Sequence, residues 1–327
     1  MLEANFKILK EIKNNNLVTQ RELAKNTGVS LGKVNSVLKE FDEEGYIKRL
    51  LKSNKVRYEI TELGEKVLIE GLNIVIDTKL SINEKNEKVT SIKEAVILAA
   101  GKQRDFDKPT GSLIIDSETI IERTIRLLTN FGIEKIIVIT GYENEILRKI
   151  IEPYKNVTSV YNKNYINSGT MKSLACAENI ISGDFILIES DLLFEERAIK
   201  SVLDEKERDC VLITDVSGIG DEAFVEIRNN YLYKISKDIH QFNKIDGEFV
   251  GVTKISFNLY NLMLNEFRDN ENKLVNYEYI LLDVSRKYDI GYVKVDNLIW
   301  GEVDNLYQYE KIKRKILPLI KKVNLDE

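Results

Sequence analysis

The N-terminal part of the chain carries apolar side chains at the three- and four-residue spacing of amphipathic helices. Glu22 lies three residues after Thr19, a spacing that predicts a capping box at the start of the second helix. Ser30 is the predicted N-cap of the third helix, and a two-stranded hairpin follows over residues 46–60. A small α+β domain is therefore predicted for residues 1–72.

The pattern changes after a mostly polar stretch, 73–91, which is a predicted linker. From there on, short apolar runs alternate with amphipathic segments. The predicted strands are residues 95–100, 135–140, 185–190 and 210–214, and the predicted helices are 120–130, 143–151, 170–181 and 305–323. Strands that alternate with helices indicate a mostly parallel sheet with helices on both faces, so the sequence predicts an α/β domain over 92–327.

Composition narrows the chemistry that this chain can perform. Among its 327 residues there is a single histidine, His240, which argues against a catalytic triad or a histidine-based zinc site. The two cysteines lie in apolar runs, as expected for buried thiols in a reducing cytoplasm. No apolar stretch reaches the roughly 20 residues that cross a bilayer, and the net charge of −5 argues against nucleic-acid binding by the whole molecule. The groups that remain available to carry the chemistry are carboxylates, lysines, backbone amides and a metal that prefers oxygen ligands.

Parallel sheets bind ligands beyond the carboxyl ends of their strands, and the first predicted strand of the sheet ends in a stretch without bulky side chains. Ala99, Ala100 and Gly101 leave the backbone open to close approach by a triphosphate. Arg104 and Lys108 follow and supply cations for phosphate groups. The alternative is an ordinary strand-to-loop turn with solvated basic side chains.

Carboxylates mark two further positions. Asp191 ends a buried strand, and Glu189 points to the same face if the strand continues. Glu302 and Asp304 alternate, so both point to one side of an extended segment. Carboxylates at a strand end suit an oxygen-preferring divalent cation. An exposed loop carboxylate is the alternative for Asp191.

Hydroxyl and amide groups cluster where a later helix begins. Ser168, Gly169 and Thr170 lie at the helix start, and Ser173 follows one turn later. Such groups can match the donors and acceptors of a nucleotide base. Simple helix capping by Ser168 or Thr170 is the alternative.

Four segments together resemble the sugar-phosphate and cholinephosphate nucleotidyltransferases, in the order that family has them. They are AVILAAGKQR, YNKNYINSGTMKSLACA, FILIESDLLFE and LIWGEVDN. The family's loop is usually L-A-A-G-x-G-x-R followed by Pro-Lys; here it is one residue shorter, and Lys108 precedes Pro109. The resemblance implies a Rossmann-like, GT-A-like nucleotidyltransferase domain.

The resemblance also implies roles for the residues above. Leu98, Ala99, Ala100, Gly101, Ser168, Gly169, Thr170 and Ser173 would bind the nucleotide. Arg104 and Lys108 would stabilise the departing pyrophosphate. Asp191 would hold Mg²⁺ together with Glu302, Asp304 or both.

Within the family, the chain is most similar to the branch of cholinephosphate and 2-aminoethylphosphonate cytidylyltransferases. That branch implies transfer of CMP from CTP to a small phospho- or phosphono-substrate, with release of pyrophosphate. Candidate substrate-binding residues are Glu189, Asp221, Glu222, Lys237, Tyr277, Tyr279 and Trp300, for which ordinary packing or solvated surface positions are the alternatives. The runner-up is a sugar-1-phosphate nucleotidyltransferase that uses UTP or another nucleotide.

The N-terminal phrase TQRELAKNTGVSLGKVNSVLKEFDEEGYIKR resembles the winged-helix, MarR-like family of bacterial regulators. The resemblance implies a DNA-reading helix; its contacts would come from Ser30, Lys33, Asn35 and Ser36, and Lys52, Lys55 and Arg57 would bind phosphates. Residues 1–70 carry thirteen basic and eleven acidic side chains, a weakly basic balance for a DNA-binding module. This balance favours a protein-interaction or homodimerisation module over DNA binding, and a DNA-binding regulator whose second domain senses a ligand stays an alternative.

Overall fold

The computed structural model describes residues 3–15, 17–52, 55–68, 91–218 and 222–326. The chain forms two compact units, Met1–Glu87 and Lys88–Glu327. The predicted linker 73–91 lies, apart from residue 91, outside the described residues.

The N-terminal unit is a winged helix–turn–helix. Its elements are α1 (Glu3–Asn14), α2 (Gln20–Thr27), α3 (Leu31–Glu43), β1 (Ile47–Lys52), β2 (Lys55–Ile60) and a helical segment, α4, over residues 62–68. The predicted capping box is confirmed, because the Thr19 hydroxyl accepts from the Glu22 amide while the Glu22 carboxylate accepts from the Thr19 amide at 2.7 Å. Ser30 caps α3 as predicted, and the apolar face of α3 is buried.

The second unit is built on a nine-stranded mixed sheet. The strands of this unit, in chain order, are β3 (Glu94–Ala99), β4 (Ile114–Ile115), β5 (Glu118–Thr119), β6 (Lys135–Thr140), β7 (Val157–Tyr161), β8 (Phe185–Glu189), β9 (Leu192–Phe194), β10 (Cys210–Thr214), β11 (Phe224–Arg228), β12 (Tyr231–Ser236), β13 (Gly247–Ile255), β14 (Gly291–Lys294) and β15 (Trp300–Glu302). The helices are α5 (Ile120–Asn130), α6 (Asn144–Ile151), α7 (Thr170–Ala175), α8 (Arg197–Asp204), α9 (Phe257–Asp269), α10 (Tyr277–Ser285), α11 (Leu306–Lys311) and α12 (Leu317–Asp326).

The centre of the sheet is parallel. Strand β3 pairs in parallel with β6 and β8, and β6 pairs in parallel with β7. Beyond β8 the sheet continues through β13, which is antiparallel to β8, β10 and β11. Because β3, β6 and β8 run in one direction, their carboxyl ends meet at the same edge of the sheet, as the alternating pattern predicts.

Apolar side chains cover both faces of the sheet. Val96 and Leu98 belong to one core cluster, while Ala95 and Ile97, on the other face of the same strand, belong to a second. Helices on both faces complete these cores, which confirms the α/β class. No helix in the described part of the chain combines the length and apolarity needed to span a membrane.

Two predicted helices differ from the observed ones. The helix predicted over 170–181 ends at Ala175, because the amides of Cys176, Ala177 and Glu178 bond carbonyls three residues back, in tight turns. The helix predicted over 305–323 contains a π-helical stretch, Ile312–Ile316. It lies just before Pro318, whose missing amide hydrogen interrupts the regular ladder.

Candidate active site

A cavity of about 260 Å³ opens at the carboxyl edge of the parallel strands. Strand β3 delivers Leu98, Ala99, Ala100 and Gly101 to its wall. A Cβ built on Gly101 would meet no atom within 4 Å, so the bare backbone faces open space. The structure therefore brings the whole predicted strand-to-loop segment to the cavity.

Three carboxylates converge on this cavity. Glu189 ends β8, Asp191 follows it, and Glu302 ends β15; each offers an oxygen within 4.8 Å of the others. The pairing of β9 with β15 sets Glu302 opposite Leu192, next to Asp191. Residues more than 110 positions apart in the chain thus form one cluster.

Asp304, the other acidic residue of the late segment, also lines the cavity. Gln103, from the loop after β3, donates its Nε2 hydrogen to Asp304 Oδ1 at 2.9 Å. The loop that begins at Gly101 is therefore tied directly to the segment that carries Glu302 and Asp304.

The carboxylates repel one another and are poorly solvated, although the cavity leaves them partly accessible. Burial raises the pKa of Asp191 to about 7, and the charge of Asp304 adds to the shift, while Gln103 and Lys237 act against it. Burial also raises the pKa of Glu189, with further contributions from Asp191, Glu278 and Glu302.

One oxygen of this cluster lacks a partner. Asp191 Oδ1 is buried and accepts no hydrogen bond from any described residue. A buried, unpartnered carboxylate oxygen beside two further carboxylates is costly unless a cation binds there. The donor set consists of hard oxygens, which fits a divalent cation such as Mg²⁺.

The start of α7 forms a second wall. Thr170 and Ser173 line the cavity, while Ser168 and Gly169 stand immediately before the helix. Asn162, which is 1% exposed, donates from Nδ2 to the hydroxyl oxygens of Ser168 and Ser173 at 3.1 and 3.0 Å. Two of the predicted base-reading residues, Ser168 and Ser173, are thus joined through the buried Asn162 amide.

The segment before α10 holds this wall in place. Asn276 Oδ1 accepts from the Thr170 amide at 3.2 Å, and the Thr170 hydroxyl accepts from the Tyr277 amide at 2.9 Å. The N-cap of α7 is Gly169, so neither the Ser168 nor the Thr170 side chain caps this helix, and Asn276 satisfies the Thr170 amide instead.

Several cavity residues had no sequence signal that separates them from surface or core positions. Glu248 of β13 and Glu278 of α10 both line the cavity, as do Gln103 and Asn276. Burial raises the pKa of Glu278, which Lys237 acts to lower. Lys237, which was predicted, is the single basic side chain among the described residues that line this cavity.

Other predicted residues do not line the cavity. Arg104 and Lys108 are exposed on the loop after Gly101. Glu222 is 6% exposed beside Ser217, and Asp221 lies outside the described residues.

The aromatic predictions need correction. Tyr277 is fully buried and packs on Phe249, with ring centroids 6.3 Å apart, so it offers no ring face to a substrate. Its hydroxyl lies close enough to Glu189 to lower that pKa, although it makes no hydrogen bond of normal geometry. Trp300 packs against the core, and Tyr279, 38% exposed, is not among the residues that line the cavity. The local pattern could not separate these rings from packing residues.

Comparison with known proteins matches both units. Residues 1–48 match the family of winged helix-turn-helix DNA-binding domains, and residues 95–238 match the MobA-like NTP transferase domain. Both domain types expected from the sequence are thereby confirmed.

Three similar proteins are informative. The bifunctional IPC transferase and DIPP synthase of Thermococcus kodakarensis is 28% identical over 233 residues, which are 69% of this chain and 51% of that protein. This chain thus spans about half of that relative's length. The choline-phosphate cytidylyltransferase of Haemophilus influenzae is 23% identical over 234 residues, 68% of this chain and 97% of that protein. The inositol-1-phosphate CTP transferase structure from T. maritima shares the fold with a TM-score of 0.61 and 20% identity, covering 72% of this chain and 97% of that one.

Proposed function

Since this chain joins a winged helix–turn–helix to a MobA-like NTP transferase domain, we propose that it is a cytidylyltransferase. It would transfer CMP from CTP to a small acceptor that carries a phosphate or phosphonate, and release pyrophosphate. One observation carries the proposal: the cavity combines a bare strand-to-loop backbone, a carboxylate cluster and a hydroxyl-lined helix start. Relatives that act on CTP, such as the Haemophilus enzyme, support the choice of nucleotide.

The chemistry is in-line displacement at the α-phosphorus of CTP. An acceptor oxygen forms the new bond to phosphorus as the bond to the β-phosphate oxygen breaks, and pyrophosphate leaves with that electron pair. An ionised phosphate oxygen is already nucleophilic, so the protein needs no general base. Its residues position the two anionic reactants and compensate their charge.

The metal fits the carboxylate cluster. We propose that Asp191, with Glu302, Asp304 and Glu189 around it, holds Mg²⁺. When bound, the ion supplies positive charge at the phosphates and lowers the repulsion between the reactants. Gln103 fixes the Asp304 carboxylate within this group.

The predicted basic residues fall into two groups, one placed for the acceptor and one for the pyrophosphate that leaves CTP. Lys237 lies close enough to Asp191 and Glu278 to lower both pKa values, and so it is suited to the acceptor phosphate. Arg104 and Lys108 are exposed on the loop after Gly101, where they are free of the cavity wall and can turn toward a departing pyrophosphate.

We propose an amine-bearing acceptor of the phosphocholine or 2-aminoethylphosphonate type. Besides the proposed metal ligands, two further carboxylates line the cavity, those of Glu248 and Glu278. Carboxylates attract an ammonium group, whereas a neutral polyol gains nothing from their charge. A sugar phosphate or an inositol phosphate is the competing acceptor, and the latter appears in the name of the T. maritima protein.

The test is pyrophosphate release by the full chain with Mg²⁺. CTP and UTP are each paired with phosphocholine, 2-aminoethylphosphonate, inositol 1-phosphate and glucose 1-phosphate. Release with CTP and an amine-bearing acceptor supports the proposal. Release only with UTP and the sugar phosphate would replace it by the uridylyltransferase alternative.

A second proposal concerns the winged helix, which matches DNA-binding domains. Helix α3 exposes Lys33, Asn35 and Ser36, and the wing exposes Lys52 and Lys55, a set suited to major-groove and phosphate contacts. The predicted phosphate contact of Arg57 is less favourable, because its Nη1 donates to the Leu17 carbonyl at 2.6 Å.

An apolar contact is the competing use of the wing. Leu51, 78% exposed, lies opposite Val56, 44% exposed, at the same end of the hairpin. DNA binding whose affinity falls steeply with salt, and falls further in Lys33→Ala, supports the DNA proposal. A dimer that Leu51→Asp dissociates, without DNA binding, would favour the interaction module.

A further inference from the structure

Asn162 is a buried residue that contacts the predicted base-reading hydroxyls of Ser168 and Ser173. It follows β7 and is 1% exposed. Its Oδ1 accepts from the Asn164 amide at 3.0 Å, and its Nδ2 donates to Ser168 and Ser173. A backbone amide can only donate, so the atom facing Asn164 must be the oxygen, and the orientation of the Asn162 amide is fixed.

This orientation dictates what the hydroxyls can do. Because the oxygens of Ser168 and Ser173 accept from Asn162, their own hydrogens point elsewhere, and neither hydroxyl donates to a described residue. The Thr170 oxygen likewise accepts from the Tyr277 amide. Thr170 and Ser173 line the cavity, and each keeps a hydroxyl hydrogen that it can donate to a ligand bound there.

The two pyrimidines differ where such donors would meet them. Cytosine has adjacent acceptors, O2 and an unprotonated ring N3, on its Watson–Crick edge. Uracil keeps O2 but carries a hydrogen on N3. A wall of donors is complementary to cytosine, whereas against uracil a donor faces a donor and both remain unsatisfied.

We propose that Asn162 is a positioning residue that fixes the Ser173 hydroxyl as a donor to the ring N3 of cytosine, and that the site thereby selects CTP over UTP. This inference rests on the proposed function of the cavity. It assigns the choice of base to a buried side chain that does not itself line the cavity.

Asn162→Asp reverses the direction of the network with little change in shape. The carboxylate still accepts from the Asn164 amide, but toward Ser168 and Ser173 it can only accept. The Ser173 hydroxyl then donates to Asp, and its oxygen is left to accept, which suits the N3 hydrogen of uracil. Asn162→Ala removes the constraint and leaves the hydroxyl free to rotate.

The experiment measures binding of Mg²⁺–CTP and Mg²⁺–UTP to the full chain by isothermal titration calorimetry, without acceptor. The wild type is expected to prefer CTP by about tenfold or more, the order of one mismatched hydrogen bond. Asn162→Asp is expected to prefer UTP, and Asn162→Ala to bind the two within a factor of about three.

Ser173→Ala is the control that tests whether Asn162 acts through the Ser173 hydroxyl. In that background, Asn162→Asp should leave the CTP-to-UTP ratio unchanged, whereas Ser168→Ala should preserve the reversal. A reversal that persists without the Ser173 hydroxyl overturns the inference, as does an Asn162→Asp protein that keeps the wild-type ratio. If Asn162→Asp does not fold in a thermal scan, Ser173→Ala alone decides, because it must bring the ratio toward one.

Failure of the inference and failure of the proposed cytidylyltransferase function would give different binding results. A wild type that binds neither nucleotide overturns the proposed function and the inference with it. A wild type that selects CTP while the Asn162 and Ser173 variants select it equally well overturns the inference alone.

Discussion

The side-chain oxygen of Asn276 accepts a hydrogen bond from the backbone amide of Thr170 at 3.2 Å. The two residues are 106 positions apart, and their contact joins the start of α7 to the segment that leads into α10. Gly169 makes the same connection from its amide to the Lys273 carbonyl at 3.0 Å. The start of α7 and the start of α10, which carries Glu278, therefore form one mechanical unit.

Gly169→Ala should break this unit. A Cβ on Gly169 would lie 2.2 Å from the Val275 carbonyl oxygen and 2.4 Å from that of Leu274, and backbone atoms cannot move aside cheaply. We expect a loss of about 1–3 kcal/mol in the free energy of unfolding and a KM for CTP raised about tenfold or more, measured by denaturant unfolding and pyrophosphate release. Gly183→Ala is the matched control, because the nearest atom to its Cβ is 4.0 Å away. Equal effects of the two changes would contradict the close packing at Gly169.

Gly101→Ala should behave in the opposite way. The space around a Cβ at Gly101 is open to 4 Å, so we expect the free energy of unfolding to stay within about 0.5 kcal/mol of the wild type. If the triphosphate approaches this backbone, the methyl group obstructs it, and the KM for CTP should rise about tenfold. Steady-state kinetics with CTP varied will show this. Gly32→Ala, also in open space but in the other unit, should leave the KM unchanged; an unaffected Gly101→Ala would remove this loop from the nucleotide site.

The central strands and the strand-end residues could be predicted because their signals are local. Buried parallel strands are continuous apolar runs, and β6 and β10 have the predicted bounds. Strand β13 could not be recognised in this way, although all nine of its residues are buried. Its apolar run is interrupted by the charged residues Glu248 and Lys254. Lys254 can be buried because its ammonium donates to the Glu205 carbonyl at 2.6 Å, a long-range contact that a local sequence pattern cannot predict.

The same limit applies to the site. Asp191 and Gly101 could be found because each lies two residues beyond the carboxyl end of a parallel strand, where such sheets bind ligands. Glu278 reaches the cavity only through the packing of α10, and Asn162 acts through hydrogen bonds that the fold creates. Aromatic residues were over-assigned, because a ring in an apolar neighbourhood, such as Tyr277, is as suited to a core as to a ligand.

Asp191→Asn should separate stability from activity. Without Mg²⁺, the change removes one negative charge from a poorly solvated cluster, so we expect the free energy of unfolding to rise by about 1–3 kcal/mol. Pyrophosphate release should fall about a thousandfold, and the stabilisation of the wild type by Mg²⁺ should be lost. Thermal unfolding with and without Mg²⁺ measures both stability effects. Asp204→Asn, at an exposed position of α8, should change none of these quantities; a variant at 191 that Mg²⁺ still stabilises would place the ion elsewhere.

Glu278→Gln tests the acceptor. The change keeps the shape and removes the charge that attracts an ammonium group, so the KM for phosphocholine or 2-aminoethylphosphonate should rise about tenfold while the KM for CTP stays unchanged. Kinetics with each substrate varied in turn will separate the two constants. Glu271→Gln, an exposed residue of the preceding segment, is the control. An equal rise for inositol 1-phosphate would show that Glu278 does not recognise the amine.

Arg123→Met should stabilise the protein. The Arg123 side chain in α5 is 6% exposed beside a cavity of about 150 Å³, and no hydrogen bond or ion pair joins it to another described residue. Burial lowers its pKa to about 10 with a smaller contribution from Arg126, while Glu118 and Glu196 act against the shift. Glu118 and Glu196 only partly offset the burial of this charge, so replacing it by an apolar side chain of similar length is expected to raise the free energy of unfolding by about 1–3 kcal/mol.

The pH dependence of that gain follows from the sign of the shift. The pKa of Arg123 in the folded protein lies below its ordinary value of 12.5, so the folded state disfavours the charged form. This penalty is fully present below about pH 10 and is relieved only as the pH rises above it, so the difference between variant and wild type should be constant from pH 6 to pH 9. Urea unfolding across that range measures it. Arg126→Met, which removes a half-exposed partner of Glu118, should cost about 0–1 kcal/mol. Destabilisation by Arg123→Met would instead mean that the attraction of Glu118 and Glu196 outweighs the cost of burying the guanidinium.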